Sequence, residues 1–223
     1  MAKDTPKIFL RVGASIQVDK STSKALADSV QAAWQAEHPN GKIVTRELGL
    51  QPFPSRAWIY AACAERMPVE EWKPEHGAAI ELAKGLADEV INADSVVVTS
   101  PLYNWSISEH LKTWVDLLLT DMRLSPYGGT APLKDKPMVL IVTRGGDYRK
   151  GSPREGWDHG TPWIKRVFSE VFGMDLQLVE ADLTLAEINP AMAKLRSTAQ
   201  EIRELAHKQA TAHGKTLSAG AKK

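Results

Sequence analysis

Three short stretches carry residue types able to bind and orient a small ligand. The first is Gly13-Ala14-Ser15-Ile16-Gln17-Val18-Asp19-Lys20-Ser21-Thr22-Ser23, which gathers hydroxyls at Ser15, Ser21, Thr22 and Ser23 just ahead of a helical pattern. A helix N-terminus offers unpaired backbone N–H groups and the positive end of the helix dipole, so hydroxyls collected there suit an anion. The same serines also suit a plain helix cap, and that reading stays open. A Walker loop is excluded because Asp19, not glycine, precedes Lys20, and its charge repels a triphosphate. The dinucleotide fingerprint is excluded because Gly13 is the loop's one glycine. An anion at this loop is therefore a single phosphate, as in a mononucleotide.

The second stretch is Ser100-Pro101-Leu102-Tyr103-Asn104-Trp105-Ser106-Ile107. Two aromatics with an amide between them suit a flat ring, the rings flanking it and Asn104 meeting its polar edge; packing is the plainer alternative. The third is Thr143-Arg144-Gly145-Gly146-Asp147-Tyr148. Paired glycines let backbone approach a planar ligand and donate N–H groups to its carbonyls, or they simply make a tight turn.

Each stretch must be positioned by the elements before and after it. Apolar runs at residues 8–12, 42–48, 95–99, 138–143 and 176–181 read as strands. Amphipathic spacing predicts helices at 21–37, 75–93, 108–119, 161–172 and from 189 to about 207. Residues 49–74 hold four prolines and no period, which predicts an irregular excursion with one short helix. Strands alternating with helices predict an α/β fold, a five-stranded parallel sheet covered on both faces. Two arrangements fit: a flavodoxin-like sheet of order 2-1-3-4-5, or half of a dinucleotide-binding fold. Both place a ligand beyond the carboxyl ends of the strands at the switch in strand order, where the three stretches fall.

Residues 1–207 read as a single domain, and the small, polar, basic stretch 208–223 reads as a disordered tail. The net charge of +1, with 28 basic and 27 acidic residues interspersed, argues against a nucleic-acid surface. The short apolar run at 8–12 is neither a signal peptide nor a membrane span. One cysteine, Cys63, forbids an internal disulfide and fits a cytoplasmic protein. The six histidines lack zinc-like spacing, so no metal is expected. His110 and Asp116 lie on different faces of one helix, which makes the histidine structural. Glu180 and Asp182, at the fifth strand's end, read as solvated charges. Trp58, Tyr60 and Trp72 make either an acceptor pocket or packing of the excursion onto the sheet.

The chain resembles the bacterial FMN-dependent NADH-azoreductases and NADH:quinone oxidoreductases. Ser15 with Ser21-Thr22-Ser23 is similar to that family's phosphate-binding serines. Pro101-Leu102-Tyr103-Asn104-Trp105-Ser106-Ile107, running into Leu111-Lys112-Thr113-Trp114-Val115-Asp116, resembles its Pro-Met-Tyr-Asn-Phe-Asn-Ile stretch and the Leu-Lys-x-Tyr/Trp-x-Asp that follows. Thr143-Arg144-Gly145-Gly146 is similar to its Ser-Arg-Gly-Gly. The resemblance spans residues 7–205 and implies a flavodoxin-like fold. It implies that Ser15, Ser21, Thr22 and Ser23 hold the FMN phosphate. It assigns Pro101, Leu102, Tyr103, Asn104, Trp105, Thr143, Arg144, Gly145 and Gly146 to the flavin ring, with Asn104 and Gly145 as the catalytic contacts. It further implies NADH or NADPH as co-substrate, a quinone or azo acceptor, ping-pong turnover and a homodimer. Leu102 and Trp105 depart from the family's methionine and phenylalanine, and residues 51–74 and 147–160 follow no family pattern. A dedicated biosynthetic flavoenzyme is therefore the alternative, while an electron-carrying flavodoxin fits less well with a near-neutral surface.

Overall fold

Residues 5–17 and 19–218 are described by the computed structural model; Val18 of the first loop and residues 219–223 of the expected tail lie outside them. Five strands, β1 (Ile8–Gly13), β2 (Lys42–Glu47), β3 (Ser95–Pro101), β4 (Pro137–Thr143) and β5 (Asp175–Ala181), pair in parallel in the order β2-β1-β3-β4-β5. Six α-helices, α1 (Thr22–Glu37), α2 (Ala57–Ala64), α3 (Pro74–Asn92), α4 (Glu109–Thr120), α5 (Thr161–Lys165) and α6 (Arg196–Ser218), cover the sheet. The order 2-1-3-4-5 selects the flavodoxin-like arrangement over the dinucleotide-binding half.

Alternating side chains of the buried strands build a core on each face of the sheet. Leu10, Val12, Val96, Val98, Leu140 and Val142 pack toward α2 to α5. Phe9, Val97, Val139, Ile141 and Val179 pack toward α1 and α6, with Leu26, Val30 and Trp34. Strand β3 is buried along its whole length, as its β-branched run predicts. Edge strand β2 is half-buried rather than alternating, since helices shield it incompletely and nothing pairs with its outer side.

Three local expectations need correction. Residues 208–218 are not a disordered tail: α6 continues to Ser218, burying Ala206, Ala210 and Leu217 against α1 and the sheet. Small and polar residues on that stretch suit close helix packing; a Cβ on Gly214 would sit 2.4 Å from the carbonyl oxygen of Val30. Ser95 locks the same end, accepting from the Trp34 indole at 3.2 Å and donating to the Leu217 carbonyl at 3.2 Å. The expected helix over 161–172 changes its hydrogen-bond spacing partway, α5 giving way to a wider π-helical turn over Arg166–Val171. The helix expected from 189 begins as a 3-10 turn, Pro190–Leu195, capped by the Asn189 side chain.

Candidate functional site

The carboxyl ends of β1, β3, β4 and β5 open into one cleft of about 560 Å³, within the range usual for small-molecule sites. Its floor begins at the first loop. Arg11, buried on β1, donates to Asp28 at 2.5 Å, to Gln31 at 3.1 Å and to the Lys24 carbonyl at 3.2 Å, which fixes the start of α1 over the sheet. Ser21 caps α1, its Oγ accepting from the Lys24 N–H at 3.4 Å. The capping alternative is thus realised, and it does not use up the cluster. Ser21 Oγ also lies 3.1 Å from Ser15 Oγ and 3.1 Å from Ser23 Oγ, so three buried hydroxyls touch one another. Among the described residues, the N–H groups of Thr22 and Ser23 have no protein acceptor, as the first turn of a helix requires. Ser15, Ser21, Thr22 and Ser23 all line the cleft.

The second loop is a tight hairpin. Tyr103 and Ser106 exchange backbone hydrogen bonds of 2.9 and 3.0 Å, leaving Asn104 at φ 47° and Trp105 at φ 66° as the two central residues. Positive φ at both positions is the signature of a type I′ turn, which favours Asn-Gly; tryptophan there carries strain. Pro101, Leu102 and Tyr103 line the cleft, and the Tyr103 hydroxyl accepts from the Ile16 N–H at 3.1 Å, joining the second loop to the first. Asn104 and Trp105 sit exposed at the hairpin tip, outside the cleft walls. The Asn104 amide has no partner among the described residues.

Thr143 and Gly145 line the cleft from the third loop, and the N–H groups of Gly145 and Gly146 have no protein acceptor among the described residues. A Cβ on Gly145 would come within 2.7 Å of Leu185, and one on Gly146 within 2.4 Å of Arg154. The paired glycines therefore permit close packing of two neighbouring loops as well as backbone exposure.

Arg144 departs from its expected role. Its buried guanidinium is taken up by Asp182 at 2.8 Å, Asp158 at 2.7 Å, Glu180 at 2.5 Å and Thr161 at 3.1 Å, and Arg144 itself is not among the cleft-lining residues. Burial works against its charge, but the hydrogen bonds it donates to Asp182 and Glu180 outweigh that and raise its pKa. A long cation beside three carboxylates finds its partners inside the protein before it reaches a ligand. Asp182 is correspondingly not a solvated charge: it is 6% exposed and also accepts from the Tyr148 N–H at 2.8 Å. Glu180 alone of that pair keeps a half-exposed side chain.

Sequence reasoning missed one wall. Leu183, Thr184, Leu185, Glu187 and Ile188, after β5, close the cleft together with Arg203 and His207 of α6. Arg203 pairs with Glu187 at 2.6 Å, and His207 Nδ1 lies 2.8 Å from Ser29 Oγ. The signal available was the position of this segment at a fifth strand's carboxyl end, but its residues carry no ligand-like pattern. The other candidates are structural. His110 lies 3.7 Å from Glu109, while Asp116 pairs with Lys112 at 2.6 Å. Tyr60 packs against the core and on His76, and the Trp72 indole donates to the Met67 carbonyl at 3.4 Å; neither residue lines the cleft. Among the described residues no cluster of His, Cys, Asp or Glu is arranged to hold a metal ion.

The pattern of the flavodoxin-like fold family matches residues 8–206. An FMN-dependent NADH:quinone oxidoreductase of Frankia alni is 36% identical over 186 residues, covering 83% of this chain and 88% of the relative. One of Streptomyces avermitilis is 32% identical over 198 residues, covering 89% and 90%. Among solved structures, an azoreductase from Bacillus anthracis str. Sterne superposes with a TM-score of 0.74 at 20% identity, covering 95% of this chain and 100% of that one, a likeness of fold. The chain belongs to the flavodoxin-like family that includes these oxidoreductases.

Proposed function

We propose that this member of the family binds FMN in the cleft and passes reducing equivalents from NADH or NADPH to a quinone or azo acceptor. The observation that carries the reading is the convergence of a buried hydroxyl cluster and free amides at the start of α1 with the Tyr103 and Gly145 loops on one cavity. The fit is chemical: an anion site at the start of α1 suits the phosphate of a mononucleotide, and unpaired N–H donors in a cleft that Tyr103 also lines suit a polar-edged ring. When bound, FMN supplies the ability to take hydride from a nicotinamide and release it to an acceptor.

The chain's own residues bind and orient. Ser15, Ser21, Thr22 and Ser23 hold the phosphate. Pro101, Leu102 and Tyr103 would wall the ring, and the Gly145 and Gly146 amides with Asn104 would supply hydrogen-bond donors to its polar edge. Thr143 contributes its place in the wall, and Arg144 acts by positioning the loops. No side chain is required as a proton donor, and His110 stays outside the chemistry. The protein acts as a homodimer in the cytoplasm; no helix among the described residues is long and apolar enough to cross a membrane.

Because both substrates meet at one cleft, oxidised nicotinamide leaves before the acceptor enters. Double-reciprocal plots of rate against NADH at fixed quinone concentrations are expected to be parallel. Intersecting lines, which require a ternary complex, contradict the scheme. The dimer is checked by light scattering, which should read twice the chain mass at micromolar concentration.

A further inference from the structure

Trp105 and Trp157 stand out among the large apolar side chains at this end of the sheet. They are 45% and 50% exposed, their ring centroids are 5.8 Å apart, and their planes cross at 66°. Neither belongs to the buried core. Trp105 is held in the left-handed region at φ 66°, a conformation a bulky residue avoids unless its surroundings impose it. The strain does not serve packing, because the ring remains half in solvent.

The surroundings that impose it are built in detail. The Trp105 carbonyl accepts from the His159 N–H at 2.9 Å, tying the hairpin tip to the loop that carries Trp157. Gly160 presses on the hairpin, so a Cβ there would lie 2.9 Å from the Ile107 nitrogen and from Leu102 Cδ1. Asp158, between the two, accepts from the amides of Gly160 at 3.0 Å and Thr161 at 2.8 Å, from the Thr161 hydroxyl at 2.6 Å and from Arg144 Nε at 2.8 Å. Arg144 in turn anchors to Asp182, which holds the Tyr148 amide at the loop's other end. Both ends of the 147–160 loop are thus pinned by one buried guanidinium. The rings it fixes stand beside the cleft rather than in its wall: Leu102 and Tyr103 of the same hairpin line it, and Trp105 follows them at the exposed tip.

We propose that Trp105 and Trp157 form a stacking platform that selects flat fused-ring quinones over single-ring ones, and that Arg144 is the positioning residue that holds the platform. The inference rests on the oxidoreductase reading above and names the acceptor class for the same site. An indole face offers the area of a fused bicyclic ring, and the second tryptophan, turned edge-on, completes an aromatic corner. A single benzoquinone ring covers little of that surface.

The test uses FMN-loaded protein with Trp157→Ala and Trp157→Phe. Loss of one aromatic partner is worth about tenfold. The Michaelis constant for 2-methyl-1,4-naphthoquinone is therefore expected to rise about tenfold in Trp157→Ala and to stay within about twofold in Trp157→Phe. The constant for 1,4-benzoquinone and the rate at which NADH bleaches the flavin are expected to hold in both. A readout independent of turnover is quenching of tryptophan fluorescence by the naphthoquinone in protein without NADH. Its apparent dissociation constant should shift in parallel with the Michaelis constant. Arg144→Lys is expected to raise the ratio of the naphthoquinone to the benzoquinone Michaelis constant, and an unchanged ratio counts against its positioning role. Equal losses for both quinones, or none for either, overturn the platform while leaving the oxidoreductase reading intact. So does conversion of the dimer to monomer in Trp157→Ala, which reassigns the rings to a contact between copies. If the wild-type flavin is not bleached by NADH, the underlying reading is what fails.

Discussion

Ser21 serves two ends at once, capping α1 through the Lys24 amide and touching the hydroxyls of Ser15 and Ser23. That double contact is why a cap and an anion site look alike in sequence: both need a small oxygen at a helix start. They differ in what replacement does. A cap lost to alanine costs about 0.5–2 kcal/mol of stability, whereas each hydrogen bond to a charged group is worth about 1.5–3 kcal/mol. Replacing Ser21 and Ser23 together by alanine should then weaken FMN by roughly two to four orders of magnitude if the contributions add. Fluorescence titration of FMN-free protein measures it, and an affinity within a few-fold of the parent sinks the phosphate assignment. Arg144 is the residue whose type misled. The resemblance assigned it to the flavin ring, but residues 158, 180 and 182, distant in sequence, supply carboxylates that only the fold brings together.

At the scale of elements, the clamp between the β4 loop and α5 has a pH signature. Burial acts to raise the Asp158 carboxyl, yet the hydrogen bonds from Thr161 and the charge and hydrogen bond of Arg144 bring it below its ordinary value of 3.8. A carboxyl held below its unfolded value contributes stability that is complete above that value and is lost as pH falls through the folded one. Asp158→Asn should therefore lower the melting temperature by a constant amount well above pH 3.8, the gap closing as the pH drops below it. A gap independent of pH down to acid unfolding counts against the clamp. The alternation of strands and helices, and hence a parallel sheet covered on both faces, was legible because the apolar runs of β1, β3 and β4 are continuous and buried on both sides, while the strand order came from the resemblance and not from the pattern. The end of α6 was not legible. Its last three turns hold Leu217 among small and polar residues, a composition that reads as a solvated tail, while their contacts lie with α1 and Ser95 far away in sequence. Truncating the chain after His207 should cost about 2–5 kcal/mol, the range for emptying a large buried side-chain site, here mainly Leu217. A urea midpoint unchanged by the truncation contradicts the packing described. The 147–160 loop was opaque for a related reason, since its order comes from Asp158, His159 and Gly160 meeting the hairpin rather than from any local pattern.

On the scale of the whole molecule, four strand ends, two helices and two covering loops converge on a single cleft, and the residues the sequence singled out divide across it by role. Ser15, Ser21, Thr22, Ser23, Pro101, Leu102, Tyr103, Thr143 and Gly145 line it, while Asn104, Trp105, Arg144 and Gly146 are not among its lining residues. A non-enzymatic carrier needs only the first group; an enzyme that turns over two substrates needs an accessible ring beside a binding surface, which the exposed hairpin tip provides. The difference is visible in one experiment. The protein, loaded with FMN and freed of excess, is mixed anaerobically with NADH while its visible spectrum is recorded, and a quinone is then added. The account predicts bleaching of the bound flavin within seconds, without a lasting one-electron form, and full return of the yellow colour on addition of quinone. A flavin that stays yellow with NADH, or that washes away before the mixing, contradicts it.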